Sequence, residues 1–428
     1  MRALLAALVA TLGLASEAAA ETFAITGATA WTMTSDQPVK NATIVVTDGK
    51  IVSVGAGAPA PAGARIVLAE GRIVTPGLMN AGTQLGLTEV ASSPDTADQS
   101  VATGPLGAAF DVQYAINPNS SLIAVARADG LTRAMSFPDA AAGSPFAGQG
   151  VLLRLADGPD LVDKPKAALF ATVGGSSAEK AGGSRSAQWL LIRNALDEAK
   201  VYKAAPRTGE PRDQLLNRLD VEALIPVVEG RTPLAIAAHR ESDIRQAINL
   251  ARDYQLRVMI IGGSEAWRAA DALAAAKIPV IIDPMANLPM SFDEIGSRLD
   301  NAAMLNKAGV PIALSVPGWT IHLSYNAGSA LREAAGLAVA NGLPYAEALK
   351  ALTIAPARMW GISHRYGTLE PGREADLVIW DGDPLEPISA PHQVFVAGKA
   401  ASLATRQKAL RDRYSPLNGT QPWPPGYR

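Results

Sequence analysis

Cysteine is absent from all 428 residues. That excludes disulfides, a thiolate nucleophile and cysteine-ligated zinc. It leaves the compartment open, because an exported chain with an adequate core needs no covalent staples. Histidine is scarce, with four in the chain. Charged residues make up 18% against 48% hydrophobic, and the formal net charge is -2 with no basic stripe or acidic tail. Nucleic acid is therefore not an expected partner. After the N-terminus no apolar run reaches the roughly 20 uninterrupted residues that a bilayer span requires, so no membrane span is expected in the mature chain. What remains is a chain with ample apolar material for one barrel or two modest domains.

The first twenty residues read as a secretory signal. Arg2 gives the positive start, residues 4–14 form a short apolar run, and Ala18-Ala19-Ala20 offers small side chains for cleavage. A buried N-terminal helix is the competing reading, but the run has no amphipathic pattern. Cleavage is expected near Ala20, the mature chain near Glu21, and the location periplasmic or secreted.

From residue 21 to 77 the pattern is strands and tight turns: 23–33, 42–47, 50–54 and 65–68, punctuated by Asp48-Gly49 and Glu70-Gly71. Gly55-Ala56-Gly57 faintly resembles a dinucleotide loop, but Pro59 and Pro61 follow, leaving no helix N-terminus for a phosphate. The middle alternates strand and helix: strand 233–238, helix 242–254, strand 257–261, helix 265–275, strand 278–282, helix 292–308, strand 310–314. Repeated βα implies a parallel sheet covered by helices. Segments 130–137 and 150–155 are two further barrel-strand candidates, and the Gly- and Ser-rich stretch 174–186 reads as a long flexible loop. Two helical stretches follow residue 327, then strands at 376–380 and 393–396, and an irregular tail.

The residues at both ends of the middle region resemble the metal-dependent amidohydrolase superfamily, in its imidazolonepropionase-like branch. Thr75-Pro76-Gly77-Leu78-Met79-Asn80-Ala81-Gly82-Thr83-Gln84 is similar to that superfamily's opening barrel strand. Gly367-Thr368-Leu369-Glu370-Pro371-Gly372-Arg373-Glu374-Ala375-Asp376-Leu377-Val378-Ile379-Trp380 resembles its closing segment, and residues 348–357 the helix before it. The resemblance implies an α/β fold: a TIM-like (β/α)8 barrel inserted in a small β-sandwich formed by the N- and C-terminal segments. The expected division is a signal peptide at 1–20, sandwich at 21–77, barrel at 78–360, sandwich again at 361–400 and a tail at 401–428.

The family's chemistry depends on a metal at the barrel's C-terminal mouth. His-x-His on one strand places two imidazoles at one ion, since residues i and i+2 share a face. The resemblance puts those ligands at Gly82 and Gln84, the others at Ala237, Gly262 and Pro317. Glycine, alanine and proline supply no ligand, and a neutral amide is a poor substitute for imidazole. No metal or other cofactor is expected. A hard-cation site from Glu265 and Asp283 is the alternative, weighed against helix-capping and surface duties for the same residues.

Pocket candidates at the mouth are Gln84, His239, Glu265, Asp283 and His322. Of these His239, Glu265 and Asp283 are the weak catalytic candidates, His239 because imidazole titrates near neutrality. His364 and His392 fall in or beside the sandwich. There is no Gly-x-Ser-x-Gly elbow, and Ser177-Ala178-Glu179-Lys180 matches Ser-x-x-Lys by letters alone. Three functions compete. The first is a metal-free, non-catalytic homologue that binds or assembles with an active amidohydrolase paralogue or with itself. The second is a hydrolase of non-peptide C–N bonds working through an unconventional site. The third is a small-molecule binding protein.

Overall fold

The structure, a computed structural model, describes residues 21–90, 92–139, 144–204, 216–317 and 327–414. The expected signal peptide lies outside these residues, as does the end of the tail.

Sixteen strands among the described residues form two eight-stranded sheets. The first joins the two ends of the chain: β1 (Thr22–Ala30), β2 (Val39–Thr47), β3 (Lys50–Ala56), β4 (Arg65–Leu68) and β5 (Ile73–Pro76) with β14 (Leu377–Trp380), β15 (Pro391–Val396) and β16 (Lys399–Ala400). Its order is β16-β15-β14-β5-β1-β2-β3, with β4 also on β1. The expected sandwich is built from one hydrogen-bonded sheet that folds over on itself, so that Phe23 of β1 stacks on Phe395 of β15 at 4.8 Å. The reason lies in β1, whose first half pairs with β4 and whose last residues pair with β5 across a shift in register. The β2–β3 hairpin has the two-residue Asp48-Gly49 loop, with φ of 51° and 73°. Both positions are left-handed, as that hairpin type requires. A Cβ on Gly49 would stand 2.5 Å from the Ala397 carbonyl oxygen, so this tip abuts the β15–β16 turn.

The second sheet curls into a nearly closed barrel. It contains β6 (Leu78–Thr83), β7 (Leu131–Ser136), β8 (Phe146–Arg154), β9 (Val162–Thr172), β10 (Leu234–Ala238), β11 (Val258–Gly262), β12 (Val280–Ile282) and β13 (Ile312–Leu314), neighbours in chain order. The ends β6 and β13 are joined by the Asn80 amide, which donates to the Val316 carbonyl at 3.1 Å and accepts from the Val316 N–H at 3.4 Å. The TIM-like architecture carries one irregularity: β8 is antiparallel to both β7 and β9, while the other pairs are parallel. Strand β9 escaped the sequence reading because Pro165 interrupts it, and proline cannot donate to a ladder. The structure absorbs this with a register shift against β8 and a positive φ of 48° at Lys166.

The helices cover the barrel by burying one stripe. Helix Glu241–Tyr254 buries Ile244, Ala247 and Leu250 and stops where Gln255 turns left-handed. The stretch 174–186, expected to be a flexible loop, is instead a short 3-10 helix (Gly175–Ala181) running into the long helix Arg185–Ala204. Residues 406–414 of the expected tail are helical. No helix of the described residues is long and apolar enough to cross a membrane.

The two sheets are clasped at Arg133, on β7 and fully buried. Its Nε donates to Asp376 at 2.8 Å, one terminal nitrogen pairs with Asp163 at 2.8 Å, and the other bonds Glu374. The guanidinium also lies 5.2 Å from the Tyr366 ring centre. Glu374 and Asp376 belong to the closing segment, so a barrel strand holds the terminal sheet through charge.

Candidate functional site at the barrel mouth

The C-terminal ends of β6, β7, β10, β11, β12 and β13 meet at one end of the barrel, where the sequence places every expected ligand position. Gly82 sits near the end of β6. A Cβ built there would stand 3.2 Å from Phe137 Cε1 and 3.8 Å from Ser315 Cβ. Phe137 follows β7, and its N–H donates to the Thr83 carbonyl at 3.1 Å. Its ring stacks on Phe170 at 5.0 Å, and Phe170 meets Trp360 at 6.0 Å. The Trp360 indole donates to the Ala81 carbonyl at 3.1 Å, returning the chain of rings to β6. Phe137, Phe170 and Trp360 are all buried. An aromatic row thus packs against the strand that would carry His-x-His.

Gly262, at the end of β11, has φ of 88°. A Cβ there would lie 2.5 Å from His239 Cε1 and 2.8 Å from its Nε2. The His239 imidazole therefore lies over the position from which a ligand on β11 would project. Its Nδ1 is 2.8 Å from the Ser264 hydroxyl. Burial pushes the His239 pKa below its ordinary value, opposed by the negative charges of Glu294 and Asp293. The ring is thus biased towards its neutral form, which can accept the Ser264 proton when Nε2 carries the hydrogen.

Gln84 is buried, and its backbone carbonyl accepts from the N–H groups of Leu87 and Thr88 at 3.0 and 3.1 Å. The Glu265 carboxylate accepts the Glu241 N–H at 3.0 Å, at the start of helix Glu241–Tyr254. That is a helix-end duty, favoured by the local dipole. Asp283, immediately after β12, accepts the Met285 N–H at 2.9 Å. Burial raises its pKa to about 6, against the lowering effect of the Met285 and Ala286 N–H groups. Ala237 is on β10, and its carbonyl accepts the Val173 N–H. Pro317 directly follows the Val316 that bonds Asn80. His322 lies outside the described residues. His364 and His392 are exposed, far along the chain from this cluster. The structure brings His239 to Gly262; it shows no bond linking Glu265 or Asp283 to that imidazole.

Sequence reading missed the polar group beside His239. Arg185 donates to Asp243 at 3.2 Å and bonds Asp293, while the Gly175 N–H donates to Asp293 at 2.6 Å and the Trp189 indole to Asp243 at 3.3 Å. These bonds tie down the start of the Gly-rich stretch. Ser177, the serine of the Ser-x-x-Lys match, donates to the Gly174 carbonyl at 2.8 Å and accepts from Gln188 at 2.8 Å. The one available signal was Phe137, an aromatic residue closing a predicted barrel strand.

The fit of these residues to a metal fails on chemistry. Gly82, Ala237, Gly262 and Pro317 offer no donor side chain, and the Gln84 amide is neutral. Among the described residues no group of three or more His, Cys, Asp or Glu side chains converges. A hard cation needs several oxygens at one point, and Glu265 and Asp283 each serve backbone N–H groups instead.

Residues 264–403 match the Amidohydrolase family model. A curated relative, the amidohydrolase TasK of Hapsidospora irregularis, is 48% identical over 59 residues, which are 14% of this chain and 6% of that protein. The chain thus spans a small fraction of that relative's length. Among solved structures, an amidohydrolase from Thermotoga maritima MSB8 is 28% identical with a TM-score of 0.79, covering 89% of this chain and 99% of the other. Phenylurea hydrolase B aligns at 16% identity and a TM-score of 0.54, over 89% and 97% of the two chains. Molinate hydrolase aligns at 16% and 0.53, over 95% and 98%. The last two show a shared fold.

Proposed function

We propose that this chain, whose place in the amidohydrolase superfamily is supported by its family segment and its structural neighbours, is an exported, metal-free homologue with a binding or assembly role. One observation carries the reading. Side chains of the protein itself, Phe137 and His239, stand where ligands on β6 and β11 would project. Loss of a ligand alone leaves room for a compensating donor; loss followed by filling does not. The N-terminal segment supports export, and a second copy or an active amidohydrolase paralogue is the proposed partner. The loop after β12 supports a protein contact: Leu288, Met290 and Phe292 are 75%, 88% and 89% exposed. Three strongly exposed apolar side chains within five residues suit an interaction surface.

Native mass spectrometry of the purified mature chain tests both halves. The expected result is a mass without metal, unchanged after incubation with zinc and removal of the excess, in an assembly larger than one chain. One zinc or other transition metal retained per chain would overturn the reading.

A second reading, hydrolysis of non-peptide C–N bonds without a metal, is favoured by the hydrogen bond between His239 and Ser264, a base within reach of a hydroxyl. On that reading His239→Ala lowers turnover of a cyclic and linear amide panel by 100-fold or more, a typical general-base contribution being about 10²–10⁴. Absence of wild-type turnover on the panel, with and without added metals, removes it.

A further inference from the structure

We propose that the opposite end of the barrel binds an amphiphilic carboxylate of medium chain length, such as a saturated fatty acid. A cavity of about 750 Å³ opens there, beneath helix Glu241–Tyr254 and helix Ala270–Ala276. Its lining includes Pro233 and Arg257, which lead into β10 and β11, and Lys277 to Pro279, which lead into β12. The cavity is therefore at the N-terminal ends of the strands, away from His239 and Ser264. That face of such barrels ordinarily serves stability, so the inference is of binding and not of chemistry.

The cavity has two unlike parts. Its floor is apolar, made by Ile248, Leu256, Val258, Met259, Ile278 and Met359. Its rim carries Arg252, Arg257, Lys277 and Arg358, and no lining residue is acidic. Arg252 is neutralised by Asp253, at 3.0 Å. Among the described residues the other three have no carboxylate partner; Arg257 donates only to the Arg231 carbonyl, at 3.3 Å. Lys164 lies close enough to Arg257 to feel its charge, and its ammonium donates to the Trp360 carbonyl at 3.0 Å. Burial lowers its pKa first, and the charge of Arg257 lowers it further, against the raising effect of Asp163. An alkyl chain suits the floor, and a carboxylate suits three cations that lack a counter-charge. A bare inorganic anion would leave the floor wet, and a neutral lipid would leave the rim uncompensated.

The test is a fluorescence titration of the mature chain with 11-(dansylamino)undecanoate. The expected result is saturable one-to-one binding, displaced by dodecanoate at concentrations at least tenfold below those needed of dodecanol. Arg257→Glu combined with Lys277→Glu weakens binding tenfold or more, and Ala272→Phe, which fills the cavity from its helix side, does the same. Both variants are read beside a thermal melt, so that loss of fold is not mistaken for loss of the site, and either one folding suffices. Absence of saturable binding, binding unchanged in a folded variant, or equal competition by dodecanol would overturn the proposal. None of these readouts depends on the state of the barrel mouth.

Discussion

Replacing Arg133 with alanine is expected to destabilise the protein by about 3–5 kcal/mol, the range for removing one partner of a buried ion pair. The size follows from what stays behind. Asp376, buried with Arg133, would lose its guanidinium partner, while Asp163 and Glu374 would keep only Arg154 and Arg365. Arg133→Lys is expected to recover little, because one ammonium cannot reproduce three directed contacts. Arg154→Ala, whose side chain is 32% exposed, is expected to cost about 1 kcal/mol or less. Chemical denaturation measures all three, and a loss for Arg133→Ala below about 1 kcal/mol would sink the clasp. Acid provides a second readout. Burial raises the pKa values of Glu374 and Asp163, but their arginine partners outweigh it and hold both below the ordinary carboxylate range: for Glu374 the Arg133 charge first, for Asp163 the Arg365 hydrogen bond first. A depressed carboxyl contributes stability above its unfolded pKa and loses it as pH falls through the folded value. The melting temperature should therefore decline on acidification below about pH 4, and decline less in Arg133→Ala.

Gly262→Ala is the second change with a large expected effect, about 2–6 kcal/mol. Two independent costs add. The left-handed backbone at φ 88° disfavours any side chain by roughly 1–3 kcal/mol, and the new methyl would collide with the His239 ring, an overpacking cost of about 1–3 kcal/mol. The two are separable. In the His239→Ala background the collision disappears while the backbone cost stays, so Gly262→Ala should then cost roughly half as much. Equal costs in both backgrounds would mean that His239 does not fill that space. The same geometry predicts that histidine restored at position 262 alone would find its place taken.

Much of the architecture was legible because strands and turns announce themselves locally. Asp48-Gly49 between two apolar runs gave its hairpin, and strand 65–68 was read to the residue. The closing motif pointed to the fold by resemblance, and the structure shows that it also carries Glu374 and Asp376, the carboxylates that Arg133 meets. Arg133 itself was invisible: a lone arginine in a strand says nothing until its three partners, two of them some 240 residues away, are seen beside it. The antiparallel β8 was hidden for a related reason, since strand direction is set by pairing and not by composition. At the mouth, absence was readable and occupancy was not. The glycines at positions 82 and 262 were read as ligand positions through the resemblance alone. Only three dimensions brought Phe137 beside Gly82 and His239 over Gly262, and showed which N–H the Glu265 carboxylate accepts at its helix end.

The shared terminal sheet has a bearing on how the chain is made. Strand β5 finds its neighbour β14 when Thr75 pairs with Val378, about 300 residues later in the sequence. At about 5–20 residues per second a ribosome takes roughly 15–60 s to supply that partner. Through that interval the edge of β5 is bare, and a bare edge is a template for pairing with the wrong chain. Biosynthesis therefore has to carry the barrel through with its first strand group unfinished, and strands made after the barrel complete the first sheet begun.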